Sequence, residues 1–245
     1  MGDDFKDALI ACETEAEIGR RCAEIIVEEV RRKPSLLLCA ATGASPTLAY
    51  RLLAEKKKEE PSLFRELRVL KLDEWQGLPM DDAGTSETYL RKYLIGPLEI
   101  SADRYFSFAS DAADPQRECA KIADVLRAQG PIDLSVLGVG ANGHLAMNEP
   151  AVELTPGPHL AELSEATRQH PMIQHIAIPP RHGITLGVSD LMRSQKIVVI
   201  IQGEAKREVV RRLLSGGIST TLPVSLLRLR ENVTCICHRS LLPTS

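Results

Sequence analysis

The chain has 245 residues, of which 44% are hydrophobic and 26% charged, and its formal net charge at pH 7 is −3. These values are ordinary for a soluble globular protein, and the interspersed acidic and basic residues argue against nucleic-acid binding. An anionic small molecule is not excluded, because it needs only a local cationic site. The acidic start Met1–Lys6 predicts no secretory signal, and apolar runs as short as Ile197–Ile201 predict no membrane span. We therefore expect a cytoplasmic protein.

Helical and strand patterns alternate along the chain. Apolar residues at helical spacing run from Ile18 to Val30 and stop before Pro34, and Pro46 suits the first turn of a second helix. Further helices are predicted at Thr85–Leu94, Asp114–Gly130 and Glu204–Leu214, and strands at Ser35–Ala40, Arg68–Leu72, Ile132–Leu137, Lys196–Gln202 and Asn232–Cys237. The repetition predicts an α/β fold, a Rossmann-like and mainly parallel sheet with helices on both faces, in a single domain over residues 1–245. The proline-containing stretch Glu153–Gln174 is the least regular and is a candidate mobile lid.

Cysteine spacing favours no metal site. The six cysteines are scattered through predicted helices and strands, and none of them forms a cluster with zinc-ligand spacing. We expect them to be small buried hydrophobes in a reducing compartment.

Polar residues follow the predicted strands at three places. Residues 41–46 join a strand to a helix start, where free N–H groups and the helix dipole suit a phosphate, although a plain turn explains them equally well. Leu72-Asp-Glu-Trp75 places carboxylates at the carboxyl end of a strand, a common position for general bases. Taken alone, this motif is better explained by a helix cap or a surface turn. Lys206 opens a helix, and a cation there opposes the helix dipole unless an anion binds.

The segment Gly138–Pro150 carries the strongest functional signal. Its glycines match the dinucleotide fingerprint G-x-G-x-x-G, which needs a helix after the last glycine and an acid about 20 residues on, at the end of the next strand. Pro150 cuts the segment short and Glu162 has no predicted strand before it, so we expect a chance match and no nicotinamide cofactor. His144 and Glu149 instead form a titratable pair that suits acid–base chemistry, with a structural histidine as the alternative.

Together these motifs resemble the glucosamine-6-phosphate deaminase family, which shares its fold with 6-phosphogluconolactonases. The resemblance runs from about Pro34 to Cys237. It rests on Thr42–Pro46, Leu72–Trp75, Gly138–Pro150, Thr167-Arg168, Leu186–Val188 and Gly203–Lys206. The triplet Asn148-Glu149-Pro150 is typical of deaminases, because lactonases usually follow their Gly-His with Thr-Ala.

The sequence also departs from the family pattern. Asn142 stands where both groups normally place Asp, and Trp75 stands where deaminases carry Tyr and lactonases usually Arg. Gln169–Gln174 lacks the arginine that helps hold phosphate in glucosamine-6-phosphate deaminases. A sister branch of galactosamine-6-phosphate isomerases/deaminases is similar in Asn142–Leu145, Gly84–Thr88, Arg168–Met172 and Arg181–Thr185. The resemblance therefore favours galactosamine 6-phosphate as substrate, with glucosamine 6-phosphate next.

The resemblance implies an enzyme that isomerises and deaminates a hexosamine 6-phosphate, giving a ketohexose 6-phosphate and ammonia, with neither metal nor cofactor. His144 would assist opening of the sugar ring, Asp73 would move the C2 proton to C1, and Glu149 would orient His144. Asn142 would orient His144 by hydrogen bonding where relatives use an acid. The phosphate would lie on Thr42, Gly43, Ala44, Ser45 and Lys206, with Arg181 as a substitute for the missing arginine.

Two other function classes stay open at the level of sequence. A 6-phosphogluconolactonase would use His144 to activate water for ester hydrolysis and would need no base for a C2 proton. A non-catalytic sugar-phosphate-binding protein would be expected if Asn142 marks lost activity. In every case the expected partner is a small-molecule sugar phosphate, with no nucleic acid and no membrane. The sequence leaves open whether the protein forms a homo-oligomer.

Overall fold

The computed structural model describes Phe5 and residues 8–243, which form alternating strands and helices. The strands are β1 (Leu9–Cys12), β2 (Leu37–Ala40), β3 (Arg68–Lys71), β4 (Asp73–Trp75), β5 (Tyr105–Phe106), β6 (Leu134–Gly138), β7 (His159–Glu162), β8 (His182–Thr185), β9 (Lys196–Ile201) and β10 (Val233–His238). The helices are α1 (Glu15–Arg32), α2 (Ala44–Glu59), α3 (Ser86–Leu90, continued by a π-helical turn at Arg91–Ile95), α4 (Pro115–Gln129), α5 (Glu165–Arg168), α6 (Val188–Met192) and α7 (Arg207–Ser215). Short 3-10 turns lie at Ala102–Arg104, Pro171–Ile173, Glu204–Lys206, Pro223–Leu229 and Arg239–Leu241.

A parallel sheet of seven strands, in the order β1-β10-β9-β6-β2-β3-β5, forms the centre of the described chain. Side chains alternate across it, so that Leu37 and Cys39 face one apolar layer and Leu38 and Ala40 face the other. Helices α1 and α2 cover the second layer, and α4, α6 and α7 cover the first. The predicted α/β fold with helices on both faces is confirmed.

Local sequence signals explain where the longer helices begin. The Thr14 hydroxyl accepts a hydrogen bond from the Glu17 N–H at the start of α1, and the Asp114 carboxylate accepts two from the first turn of α4. Pro115 occupies the first position of α4, where its missing N–H costs nothing. These helices coincide with the predicted ones to within a few residues.

A second, antiparallel sheet of three strands, in the order β4-β8-β7, was not predicted. The chain turns out of the central sheet at Leu72, so Asp73–Trp75 belongs to this small sheet. Strands of three or four residues are too short for a periodic pattern to identify. The expectation that Glu153–Gln174 is irregular is wrong in part, since it contains β7 and α5.

Two composition-based expectations can be compared with the structure. All six cysteines are buried and carry free thiols, as expected of small core residues. Within Phe5 and residues 8–243, no helix combines the length and the apolar content that crossing a bilayer requires.

A buried ionic cluster joins the central sheet to the small sheet and to α3. Lys71, the last residue of β3, is completely buried, and its Nζ lies 2.7 Å from Glu74 Oε2 and 2.9 Å from Glu87 Oε2. The Tyr105 hydroxyl donates to Glu87 at 2.9 Å, and the Arg91 guanidinium lies 2.7 Å from the other oxygen of Glu87. Charges this far from water are tolerated only as a complete set, because each one needs a partner.

Replacing Lys71 with methionine removes the cation from two buried carboxylates. We expect Lys71→Met to lower the free energy of unfolding at pH 7 by about 3–5 kcal/mol, the usual cost of breaking a buried ion pair. Urea denaturation followed by circular dichroism measures it. Lys58→Met, on the exposed side of α2, is the matched control and should change stability by no more than about 0.5 kcal/mol. Equal stability of the two variants would contradict the prediction.

Candidate active site

A cavity of about 500 Å³ opens at the carboxyl ends of the central strands. The chain order reverses at this point, because β3 lies on one side of β2 and β6 on the other. Open parallel sheets bind their ligands at such a switch point. The loops that follow β2, β3, β6 and β9 all contribute to the lining, together with residues 166–171.

Most of the residues predicted for the site come together at this cavity. Those that line it are Thr42, Gly43, Ala44, Ser45, Asp73, Asn142, His144 and Lys206. Glu149 is not among the lining residues, but it contacts His144, with 3.4 Å between His144 Nδ1 and Glu149 Oε2. Arg181 is exposed and does not line the cavity, so the structure does not bring it to the predicted phosphate site.

The start of α2 presents uncapped backbone donors to the cavity. Gly43, the residue before the helix, has a φ of 95°, a conformation that favours glycine, and no side chain caps the first turn. The hydroxyls of Thr47 and Tyr89 both donate to the Gly43 carbonyl at 2.8 Å, and Tyr50 donates to the Ala41 carbonyl at 2.8 Å. Because these carbonyls are already occupied, the free N–H groups are the part of the loop available to an anion.

Lys206 adds a positive charge to the same cavity. It ends the short turn after β9 and is half-buried, and burial lowers the pKa of its ammonium group. Within the described residues no carboxylate forms an ion pair with it, although most buried lysines have such a partner. A half-buried lysine without an acid, beside a helix start, is well suited to a phosphate.

Asp73 is the cavity's candidate base. Its side chain is buried, and burial raises its pKa, as does the adjacent negative charge of Glu74, while Lys71 acts in the opposite direction. The resulting pKa is about 7. A carboxylate with that pKa is near the optimum for accepting a proton at neutral pH.

The neighbouring Glu74 has a structural task. One of its oxygens accepts from the backbone N–H groups of Trp75 (2.8 Å) and Ser86 (2.9 Å). The other accepts from the Lys71 ammonium (2.7 Å) and the Glu87 N–H (2.9 Å). Both oxygens are therefore fully occupied, and Glu74 is completely buried. Of the two adjacent carboxylates, only Asp73 is available for chemistry.

Glu149 is held in its ionised form. Burial acts to raise its pKa, but hydrogen bonds and the charge of His144, with hydrogen bonds from Thr167 and Asn142, outweigh burial and hold the pKa at about 2. Ser164 also donates to it through its hydroxyl, at 3.1 Å. An ionised carboxylate 3.4 Å from Nδ1 can orient the imidazole ring, as the acid member of a catalytic triad does.

Asn142 forms hydrogen bonds with both members of this pair. Its amide nitrogen donates to Glu149 Oε2 at 2.7 Å, and its amide oxygen accepts from the backbone N–H of His144 at 3.2 Å. Asn142 therefore fixes the Glu149 carboxylate and the His144 backbone, and its hydrogen bonds go to neither ring nitrogen of His144. An aspartate at this position would place a second negative charge against Glu149.

Gly140, which has no side chain, leaves the space that the His144 ring occupies. A Cβ added to Gly140 would lie 2.3–2.4 Å from three atoms of the His144 ring, so the imidazole packs directly on the glycine. No helix follows Gly143, since the described residues 141–150 form turns and an isolated bridge. The nicotinamide interpretation lacks the helix that it requires.

Sequence reasoning missed His170 and the residues that hold Glu149. His170 lines the cavity beside Gly43, and its ring packs against Trp75 with 5.7 Å between the ring centroids. Ser164 and Thr167, at the start of α5, bind the Glu149 carboxylate. Thr167 belongs to the segments that carry the family resemblance, and His170 lies in Arg168–Met172, which resembles the galactosamine-6-phosphate branch, so both had a signal in the sequence. Spacing alone does not distinguish His170 from the other histidines.

The fold and the cavity define an α/β protein in which a buried carboxylate, a histidine and an uncapped helix start lie at the switch point of a parallel sheet. Residues 11–236 match the family of glucosamine-6-phosphate isomerases/6-phosphogluconolactonase, and the chain belongs to that family of enzymes. The resemblance stated from sequence is confirmed.

Individual relatives agree with this assignment. The chain is 36% identical over 221 residues to the Escherichia coli (strain K12) protein named "Putative deaminase AgaI", covering 90% of this chain and 88% of that one. It is similar to the structure of a monomeric glucosamine-6-phosphate deaminase, with a TM-score of 0.89, 31% identity and coverage of 95% and 98%. A 6-phosphogluconolactonase from Trypanosoma brucei, at 20% identity, a TM-score of 0.77 and coverage of 95% and 96%, shares the fold.

The raised pKa of Asp73 makes a prediction about stability. Its folded-state pKa of about 7 lies above the usual unfolded value, so ionisation costs stability, and the cost grows as pH rises toward 7. We expect the stability advantage of Asp73→Asn over wild type to grow by about 2–3 kcal/mol between pH 5 and pH 8. Urea denaturation at a series of pH values measures it. Asp111→Asn, at an exposed position, should give no such trend, and a flat difference for Asp73→Asn would show that its pKa is ordinary.

Proposed function

We propose that the protein isomerises and deaminates hexosamine 6-phosphates, giving a ketohexose 6-phosphate and ammonia. The observation that carries the proposal is the buried Asp73 carboxylate, with a pKa of about 7, in the same cavity as His144 and an anion-binding helix start. Relatives named as glucosamine-6-phosphate deaminases support the reaction class.

The residues divide the reaction into proton transfers. His144, with its Nδ1 side against Glu149, moves a proton from the C1 hydroxyl to the ring oxygen and so opens the sugar ring. Asp73 then takes the C2 proton while the C1 carbonyl oxygen takes a proton from solvent, which gives an enolamine. Asp73 returns its proton to C1, which leaves a protonated imine at C2. Water adds to that carbon, ammonia leaves, and one proton returns to solvent. Each step needs a positioned acid or base. Such a residue typically raises the rate of its step by roughly 10²–10⁴-fold.

The phosphate supplies the binding energy that positions the sugar. Thr42, Gly43, Ala44 and Ser45 offer N–H and hydroxyl donors, and Lys206 offers the charge. Arg181 is left out of this site because it lies away from the cavity. When the phosphate group of the substrate is bound, C1 and C2 of the sugar are held near Asp73 and His144. This positioning raises the rate of the proton transfers.

Galactosamine 6-phosphate is the favoured epimer, with glucosamine 6-phosphate next. The support is the similarity of Asn142–Leu145, Gly84–Thr88 and Arg168–Met172 to the galactosamine-6-phosphate isomerase/deaminase branch. The Asp73 environment favours deamination over lactone hydrolysis, because hydrolysis of the ester attacks C1, removes no proton from C2 and needs no second base.

The testing experiment is an ammonia-release assay on both hexosamine 6-phosphates, run beside a hydrolysis assay on 6-phosphogluconolactone. We expect ammonia from both amino sugars, with a higher kcat/KM for the galacto epimer. If ammonia is released but kcat/KM is higher for the gluco epimer, only the proposed preference for galactosamine 6-phosphate is overturned. Lactone hydrolysis without ammonia, or binding without turnover, would overturn the proposed reaction.

An Asp73→Asn variant tests the base in the same assay. We expect kcat to fall by about 10²–10⁴-fold, the usual worth of a general base, while binding of the sugar phosphate stays close to wild type. Solvent deuterium should no longer exchange into C2. Asp111→Asn is the matched surface control. Exchange that continues at the wild-type rate would assign the base elsewhere.

The contact between Asn142 and Glu149 predicts the effect of restoring an acid. Asn142→Asp replaces a 2.7 Å hydrogen bond with two facing carboxylates, which raises the pKa of Glu149 from about 2. We expect the titration profile of the Glu149 carboxyl, followed by NMR, to move up by about one to two pH units, because the added negative charge opposes its ionisation. Asn232→Asp, an exposed change of the same charge, is the control. Superimposable profiles would show that position 142 does not act through Glu149.

A further inference from the structure

His170 occupies the part of the cavity where the chain lacks an expected cation. The segment Gln169–Gln174 carries no arginine, and Arg181 lies outside the cavity. His170 is half-buried and lines the cavity beside the start of α2. The three groups on this side of the site are therefore the α2 start, Lys206 and His170.

The imidazole of His170 has a defined tautomer. Its Nδ1 accepts a hydrogen bond from the Met172 N–H at 3.3 Å, capping the turn at Pro171–Ile173. An accepting nitrogen carries no proton, so in the neutral ring the proton lies on Nε2. The Trp75 ring packs against the imidazole with 5.7 Å between centroids, which fixes the ring from one side.

The protonated edge of the ring faces the helix start. A Cβ added to Gly43 would lie 3.7 Å from His170 Cε1 and 3.8 Å from Nε2, so this edge is the one nearest to the uncapped turn. Burial, followed by the positive charges of His144 and Lys206, lowers the pKa of His170 and favours the neutral ring. Among the described residues, no side-chain or backbone acceptor takes a hydrogen bond from Nε2.

We propose that His170 is a phosphate-binding residue whose Nε2–H donates a hydrogen bond to a phosphate oxygen held by the α2 start and Lys206. It takes the place of the missing arginine as a directional donor. The inference rests on the proposed function for the identity of the sugar, but the phosphate contact itself is independent of the reaction.

Two variants separate the phosphate contact from the capping of the turn. In His170→Asn the amide oxygen can still accept from the Met172 N–H, but no donor reaches the Nε2 position. In His170→Gln the longer amide restores a donor there and loses the cap. His175→Asn is the control, since His175 lies outside the cavity lining and pairs with Asp82 at 3.0 Å.

The probe is inorganic phosphate, with its Kd measured by calorimetry on the full chain, and Tm is recorded for each variant. We expect His170→Asn to raise Kd roughly tenfold or more, the usual worth of a hydrogen bond to a charged group, with Tm near wild type. His170→Gln should recover part of that loss, and His175→Asn should match wild type. With the amino-sugar phosphates, His170→Asn should raise KM and leave kcat nearly unchanged, because a binding contact away from the reacting carbons is removed.

Several outcomes would overturn the inference. They are an unchanged Kd in His170→Asn, equal weakening in both variants together with a lowered Tm, and a wild-type protein that does not bind phosphate. A different pattern would overturn the proposed reaction without overturning the phosphate contact. If phosphate binds and His170 contributes to that binding while no ammonia is released, the reaction is wrong and the phosphate contact stands.

Discussion

The Glu74 carboxylate is the interaction on which the rest of the site depends. Its hydrogen bonds to Lys71 and to three backbone N–H groups join the end of β3, the start of the small sheet and the first turn of α3. The chain can leave the central sheet after a single residue, Leu72, because this carboxylate secures both sides of the turn. Asp73 is thereby placed in the cavity wall, with its carboxylate unused by the structure.

Hydrogen-bond donors and titratable side chains reach the cavity from different parts of the chain. The backbone donors around Gly43 and the charge of Lys206 follow β2 and β9, whereas Asp73 begins β4 and His144 follows β6. The arrangement follows from the parallel sheet, since every contributing loop leaves the same edge.

The sequence was sufficient for the longer helices and the five inner strands of the central sheet, because these show their period and carry ordinary start and stop signals, such as Asp114-Pro115. It was insufficient for the short edge strands β1 and β5 and for the small sheet. Only the family resemblance, and not the residue pattern, favoured Asp73 over Glu74. Two adjacent carboxylates look alike until their hydrogen bonds are known. His170 was missed for a related reason, because its partners, Gly43 and Trp75, are distant in sequence.

The neutral amide at position 142 also has a consequence for how fast a ligand arrives. Asn142 satisfies Glu149 without adding charge, so the cavity wall carries one negative charge fewer than it would with an aspartate there. An anion approaching the cavity from solvent therefore meets less repulsion than it would with an aspartate there. Electrostatic steering acts over roughly one Debye length, about 8 Å at physiological ionic strength. In this chain the neutral side chain removes one source of repulsion over that range.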